Sequence, residues 1–280
     1  MHFELDLGVG DVEDGCPIVL RVKAIIVAAG LGSRLKALTA DRPKCFLEIN
    51  GYSTFERQLK AFRAAGIFDI SVVTGYRAQH FSDYPDVKLY HNDDFENNNV
   101  VSSLMYARPE LNSELVISYG DIVFEEHLIQ TILPVASDFT VIADKDWRKT
   151  YVGRTDHPET EAEKIAISGN SVHSIGKHLR SQETDAEFIG MLTLSKHACA
   201  IWANVFDELK ADFSGRPFHH AATFEKASMT DMLQELINRG HEIRPLFIND
   251  SWMEIDTHQD YIAANRRFSE SEGVRRNVQH

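Results

Sequence analysis

Hydrophobic and polar positions change their period along the chain, and the changes mark out elements. Val22 to Ala28 is a β-branched and apolar run that ends in small residues and then Gly30 and Gly32, the pattern of a buried strand entering a tight glycine loop. From Thr54 to Ala65 the apolar residues Phe55, Leu59 and Phe62 recur at helical spacing, with Gly66 as the stop signal. Strands are expected over Ile67–Thr74 and Val87–His91, with a short helix over Tyr76–Phe81 between them. A helix is expected over Val100–Ala107, where Val101, Leu104 and Met105 share a face. Leu115 to Tyr119 is a continuous apolar strand ending at Gly120-Asp121, followed by a helix over Glu126–Val135 and a strand over Phe139–Ala143. Strands alternating with helices of this length predict βαβ units, hence an α/β fold with a Rossmann-like, twisted and mostly parallel sheet.

The rhythm changes after Asp144. Lys164–Ser168 and Ser171–Ile175 flank Gly169-Asn170 and read as a hairpin. A strand over Phe188–Leu194, a helix from Ser195 to Lys210, a helix over Thr230–Arg239 stopped by Gly240, a strand over Glu242–Ile248 and an amphipathic helix over Thr257–Phe268 complete the pattern. We read 1–21 as an acidic, loosely ordered N-terminal extension, 22–268 as one domain, 145–190 as a small β-containing insertion walling one side of a cleft, and 269–280 as a polar tail.

Composition narrows the classes. A chain of 280 residues is near the upper size for one core, and 43% hydrophobic with 25% charged residues is ordinary for a soluble globular protein. The formal charge of −13 argues against a nucleic-acid partner, though a local basic site for a small anion is compatible with it. The three cysteines, Cys16, Cys45 and Cys199, are too widely spaced for a disulfide framework or a zinc knuckle, and His219-His220 lacks a spaced partner. No apolar run reaches membrane-spanning length and the N-terminus has no basic leader, so a cytoplasmic protein is expected.

The candidate chemistry starts at Ala28-Ala29-Gly30-Leu-Gly32-Ser33-Arg34 and closes at Pro43-Lys44. Backbone N–H groups of such a loop form a nest for anionic oxygens, and the flanking cations suit a polyphosphate, Arg as a bidentate fork and Lys as a point charge. The dinucleotide fingerprint needs a third glycine where Leu35 stands, and the phosphate-binding loop of the Walker type needs Gly-Lys-Ser/Thr where Gly32 is followed by Ser33-Arg34. Neither fits, which disfavours an oxidoreductase. Asp121 ends an apolar strand, and Glu254 and Asp256 stand two apart after another, so both face one side of extended chain.

The whole pattern, Ala-Ala-Gly-x-Gly-x-Arg-Leu with Thr39 and Pro43-Lys44-x-Phe-Leu, resembles the signature of the nucleotidylyltransferases that activate sugar phosphates and alcohol phosphates. With Trp147 and the Trp252-x-Glu-x-Asp ending, it looks most like the bacterial choline-phosphate and aminoalkylphosphonate cytidylyltransferases, over residues 22–268. The resemblance implies that Arg34 and Lys44 are catalytic, that Ala28, Ala29, Gly30, Gly32 and Ser33 cradle the triphosphate, and that Asn99 and Ser103 touch the nucleobase. It implies Mg²⁺ on Asp121 and Asp256. The substrates would be CTP, or another triphosphate, and a small phosphate or phosphonate acceptor.

For the acceptor, relatives that activate sugars carry Gly-Glu-x-x-Gly where this chain has Ala186-Glu187-Phe-Ile-Gly190. Trp147, Tyr151 and Trp252 with Glu187 and Glu254 are instead expected to wall a site for an ammonium group, while Arg154 on the same acceptor side suits an acceptor with extra negative charge, and such aromatics more often serve as core. A sugar 1-phosphate acceptor with UTP, and a binding module that kept the loop without catalysis, are the alternatives. A homodimer is left open.

Overall fold

The computed structural model describes residues 22–133, 137–249 and 251–277, with side chains through residue 269. The expected extension over 1–21 and the expected helix end at Val135 lie outside the described residues. Nine strands form one sheet among the described residues. Val22–Ala28 lies in its middle, parallel to Ile70–Thr74 on one side and to Glu114–Tyr119 on the other, and Lys88–His91 adds in parallel beyond Ile70–Thr74.

The sheet changes character at the long strand Ala186–Leu194. This strand runs antiparallel to Glu114–Tyr119, to Phe139–Asp144 and to the hairpin strand Lys164–Ser168, and its register with Phe139–Asp144 shifts between Phe188 and Leu192. Phe139–Asp144 in turn pairs in parallel with Ile243–Ile248. The insertion's hairpin, Lys164–Ser168 with Ser171–Gly176, therefore extends the same sheet.

The central strand is buried on both faces because helices cover both. Ala24 and Ile26 pack on one side with Phe55, Phe62, Val116 and Met191. Ile25 and Val27 pack on the other with Leu104, Ile117, Trp202 and Leu233. Adjacent residues of a strand point to opposite faces, so a run without polar interruption is what a two-sided core requires.

Helices begin where side chains satisfy free N–H groups. Ser53 and Glu56 form a capping box at Thr54–Ala64, and Ser228 and Asp231 form another at Met229–Asn238. Several expected helices are shorter. The segment after Thr74 is a 3₁₀ turn over Ala78–Asp83, and the helix at Val100 stops at Leu104 and continues as a 3₁₀ segment over Met105–Glu110 containing Pro109. The helix expected from Glu126 covers Leu128–Ile132. The last helix runs His258–Asn277, through most of what reads as tail.

Candidate active site

The carboxyl end of Val22–Ala28 delivers the glycine loop to the ligand edge of the sheet. Gly32 sits at φ +62°, a left-handed conformation that favours glycine, and a Cβ there would lie 3.1 Å from the Cβ of Lys44. The Thr39 hydroxyl donates to the Gly32 carbonyl at 2.9 Å and closes the loop back on itself. Beneath it, the turn Lys44–Phe46 is anchored by Phe46 against Phe55 and Phe81. Gly120 packs so tightly on the loop that a Cβ would lie 2.8 Å from that of Ala28. Asp121 is thereby held at the loop's flank.

Asp256 arrives from far along the chain by a short ladder. Trp252–Glu254 pairs antiparallel with Ile122–Phe124, and the Ile255 N–H donates to the Asp121 carbonyl at 3.0 Å. The Lys44 ammonium lies between the two carboxylates, 2.7 Å from Asp121 Oδ2 and bonded to Asp256 Oδ1. Burial alone would lower the Lys44 pKa, but Asp121, Asp256 and Glu254 outweigh it and raise it. Burial likewise opposes ionisation of Asp256, but Lys44, His157 and Arg34 hold its carboxyl well below the usual range. Glu254 is pushed the other way, by burial first and then by Asp256 and Asp121.

Arg34 Nη2 reaches Asp256 Oδ2 at 2.7 Å while its side chain stays 53% exposed at the cleft. The cleft measures about 720 Å³ and is lined by Ala28, Ala29, Gly30, Gly32, Ser33, Arg34, Lys44, Asp121 and Asp256 among others. The phosphate-binding and metal-binding residues expected from sequence thus converge on one wall. Asn99 and Ser103 line the cleft too, already engaged: Asn99 Nδ2 donates to the Lys226 carbonyl at 3.2 Å, and Ser103 is buried in a network with Asn92 and Asn98.

The acceptor wall divides. Glu187, Glu254 and Trp252 line the cleft, whereas Trp147, Tyr151 and Arg154 do not. Trp147 is wholly buried, packed edge-on to Tyr151 in a small core that includes Ala162. The two rings expected on an aromatic acceptor wall, Trp147 and Tyr151, thus pack on each other and on Ala162 inside the insertion and do not line the cleft. Tyr151 donates its hydroxyl to Glu187 Oε1 at 2.5 Å, which leaves Glu187 Oε2 buried without a partner. Arg154 stands behind Glu254, 3.4 Å away, and bonds Asp260 at 2.6 Å. Asp260 accepts from the Asp256 and Thr257 N–H groups, so Arg154 braces the chain turn that carries Asp256.

Besides Glu187, titratable groups that the sequence did not assign to the site gather in and beside the cleft. Glu163 is pushed up to about 7, by burial above all and by Asp121, against the Lys177 charge; its carboxylate accepts from Tyr119 at 3.4 Å. Burial pushes Glu187 up to about 8. Lys177 and the stacked imidazoles of His178 and His220, 3.9 Å apart, stand on the same side. His157, buried in the insertion, places Nδ1 3.0 Å from Asp256 Oδ2 and Nε2 3.6 Å from Glu254 Oε2. A lone His in a Pro- and Asp-flanked loop carries no spacing signal, so only folding reveals this one.

A CTP:phosphoglutamine cytidylyltransferase of Campylobacter jejuni is 28% identical over 250 residues, covering 85% of this chain and 97% of that protein. A 2-aminoethylphosphonate cytidylyltransferase of Lancefieldella rimae is 34% identical over 116 residues, 39% of this chain and 47% of that one. Among solved structures, a CTP:phosphocholine cytidylyltransferase of Streptococcus pneumoniae superposes with a TM-score of 0.66 at 22% identity, covering 88% of this chain and 98% of that one, which speaks to the fold. The model of the MobA-like NTP transferase domain matches residues 24–246, and the chain belongs to that family.

Proposed function

We propose that the protein transfers CMP from CTP to a small phosphate or phosphonate acceptor and releases pyrophosphate. The observation that carries this reading is the Lys44 ammonium held between Asp121 and Asp256 directly beneath the glycine loop, with Arg34 beside it. The similarity to cytidylyltransferases along nearly the full length of one relative supports CTP as donor.

The acceptor's own oxyanion is the nucleophile, so the protein's task is alignment and charge neutralisation, with no covalent intermediate. The N–H groups of the Ala29–Ser33 loop and the Arg34 guanidinium take the β- and γ-phosphates, and Arg34 stays with the departing pyrophosphate. Lys44 leaves its carboxylate pair to draw the acceptor oxyanion toward the α-phosphorus. Asn99, at the rim, offers both donor and acceptor to a pyrimidine edge, with Ser103 behind it.

The donor set also fits a divalent cation. Asp121 Oδ1 is buried without a hydrogen-bond partner, and Asp256 is held ionised. Asp121 and Asp256 would hold Mg²⁺, which would supply positive charge against the phosphate oxygens. Glu187 and Glu254 line the cleft, and the unpartnered Glu187 Oε2 would receive an ammonium or amide N–H of the acceptor once the carboxyl gives up the proton that burial favours.

A panel of CTP, UTP, GTP and ATP against 2-aminoethylphosphonate, phosphocholine, a phosphorylated amide and glucose 1-phosphate, read as pyrophosphate release, tests this. CTP with an acceptor bearing N–H or ammonium groups is expected to be fastest. Faster turnover of UTP with glucose 1-phosphate would establish the sugar reading instead.

A further inference from the structure

The strand Ile70–Thr74 runs beside Val22–Ala28 with Thr74 level with Ala28, so the turn that follows it leaves the sheet next to the glycine loop. Gly75 packs so closely there that a Cβ would lie 2.6 Å from the Ala29 carbonyl oxygen. The next residue touches both ends of the loop. Tyr76 donates its backbone N–H to the Ala29 carbonyl at 3.1 Å and its hydroxyl to the Ala40 carbonyl at 2.7 Å. Arg77 Nη2 donates to the same Ala40 carbonyl at 3.1 Å, with the guanidinium carbon 5.5 Å from the centre of the Tyr76 ring. His80 Nε2 lies 2.8 Å from the Asp41 carbonyl, which only accepts, so that nitrogen carries the proton. The same imidazole packs on Phe46, 5.6 Å between ring centroids, in the turn that carries Lys44.

The backbone on both sides of these contacts is held away from its ordinary conformations. Arg77 sits at φ +54° and ψ +38°, the left-handed region, and with that bend Tyr76 and Arg77 reach one carbonyl. Lys36, in the middle of the arm that runs from Ala29 to Phe46, holds φ +50° and ψ −114°. Residues other than glycine rarely adopt this conformation, and it persists only where the surroundings fix it. Inside the arm, the Thr39 hydroxyl bonds the Gly32 and Lys36 carbonyls. From outside, the turn at 76–80 holds Ala29, Ala40, Asp41 and Phe46. Its polar contacts all end on backbone carbonyls, so they set the path of the chain and not the choice of side chain at 40 and 41.

We infer that Tyr76, with Arg77 and His80, is a positioning residue that braces the arm from Ala29 to Phe46 and so presets the glycine loop, Arg34 and Lys44 for a polyphosphate. Ordering a loop at the moment of binding subtracts from affinity, and a loop ordered beforehand avoids that cost. Tyr76 does this at both ends of one loop, through its main chain at Ala29 and its side chain at Ala40. This role rests on the proposed function only in taking the loop as the phosphate seat. It is independent of the acceptor and of any metal ion.

The test uses the full chain and two variants. Tyr76→Phe keeps the ring and removes the hydroxyl, and Arg77→Gly removes the guanidinium while keeping the positive φ, which glycine accepts freely. Hydrogen exchange over residues 30–43, read by mass spectrometry without ligand, reports the order of the arm. Calorimetry reads the binding of CTP and of pyrophosphate, each with Mg²⁺. Tyr76→Phe should speed exchange in that segment and weaken both ligands by roughly three- to tenfold, the worth of one neutral hydrogen bond, and the double variant should lose more than either single one. In turnover, CTP KM should rise while acceptor KM stays within about twofold, a split that general destabilisation does not produce. Unchanged exchange over 30–43 in the double variant overturns the brace, and so does faster exchange with unchanged binding of both ligands. If the wild type binds both ligands but no acceptor elicits pyrophosphate release, the transfer reading fails alone, and exchange and binding still decide the brace. If the wild type binds neither ligand, the loop is no phosphate seat and the positioning role falls with it.

Discussion

The Lys44 ammonium sits 2.7 Å from Asp121, a residue 77 positions away in the chain, and also bonds Asp256. Three groups of alternating sign are thus held in one place before any substrate arrives, and each has a distinct consequence when removed.

Lys44→Met should cost turnover and stability together. Loss of a cation that acts in the transition state should slow pyrophosphate release by on the order of 10²–10³. It also leaves Asp121 and Asp256 facing each other without their partner, a loss of about 3 kcal/mol or more in denaturant unfolding. Arg34→Ala should show a comparable rate loss but a stability change below about 1 kcal/mol, because the guanidinium is half exposed. Near-normal rates in both variants would remove the catalytic assignment.

Asp121→Asn and Asp256→Asn should each raise the Mg²⁺ concentration needed for half-maximal rate. If the two share one ion, the double variant should lose little beyond either single one, since groups acting as a unit are non-additive. Multiplicative losses in the same titration would assign the carboxylates separate tasks.

Trp147→Ala should behave as a core deletion. The ring is wholly buried, so a loss of about 3–5 kcal/mol is expected, seen as a lowered melting temperature. In protein that remains folded, acceptor KM should shift no more than nucleotide KM. A selective rise in acceptor KM would return Trp147 to the acceptor wall.

Stability should fall from pH 5 to pH 9 through Glu187. Its carboxyl is raised to about 8 by burial, so the folded chain holds a proton there that the unfolded chain has already released above its ordinary value of 4.5. Between those values the unfolded state binds fewer protons, and unfolding becomes easier as pH rises. Glu187→Gln removes that slope, so its melting temperature relative to wild type should improve by a few degrees between pH 5 and pH 9. A constant difference across the range would mean that Glu187 is ionised in the fold.

Much of the fold is local in origin and therefore legible along the chain. The run Val22–Ala28, the Gly32 turn, and the apolar strand ending at Gly120-Asp121 carry their structure in period and composition. The glycine-loop side of the cleft was legible for the same reason: Gly30, Gly32, Arg34 and Lys44, which all line it, fall within one short segment whose chemistry suits anionic oxygens. Helix ends were less legible. Met105–Glu110 tightens to a 3₁₀ turn, and His258–Asn277 runs on through polar sequence that shows no apolar stripe.

What only the tertiary structure decided is which side of each residue faces the cleft. Trp147 and Glu187 look equally able to greet an acceptor in the sequence, yet Trp147 fills the insertion's core while Glu187 lines the cavity. Asp256 meets Asp121 because Trp252–Glu254 pairs with Ile122–Phe124 across more than a hundred residues. His157 meets both Asp256 and Glu254 because the insertion folds back over that ladder. Long-range pairing and burial depend on the whole set of packed surfaces competing at once, and no local period records the outcome.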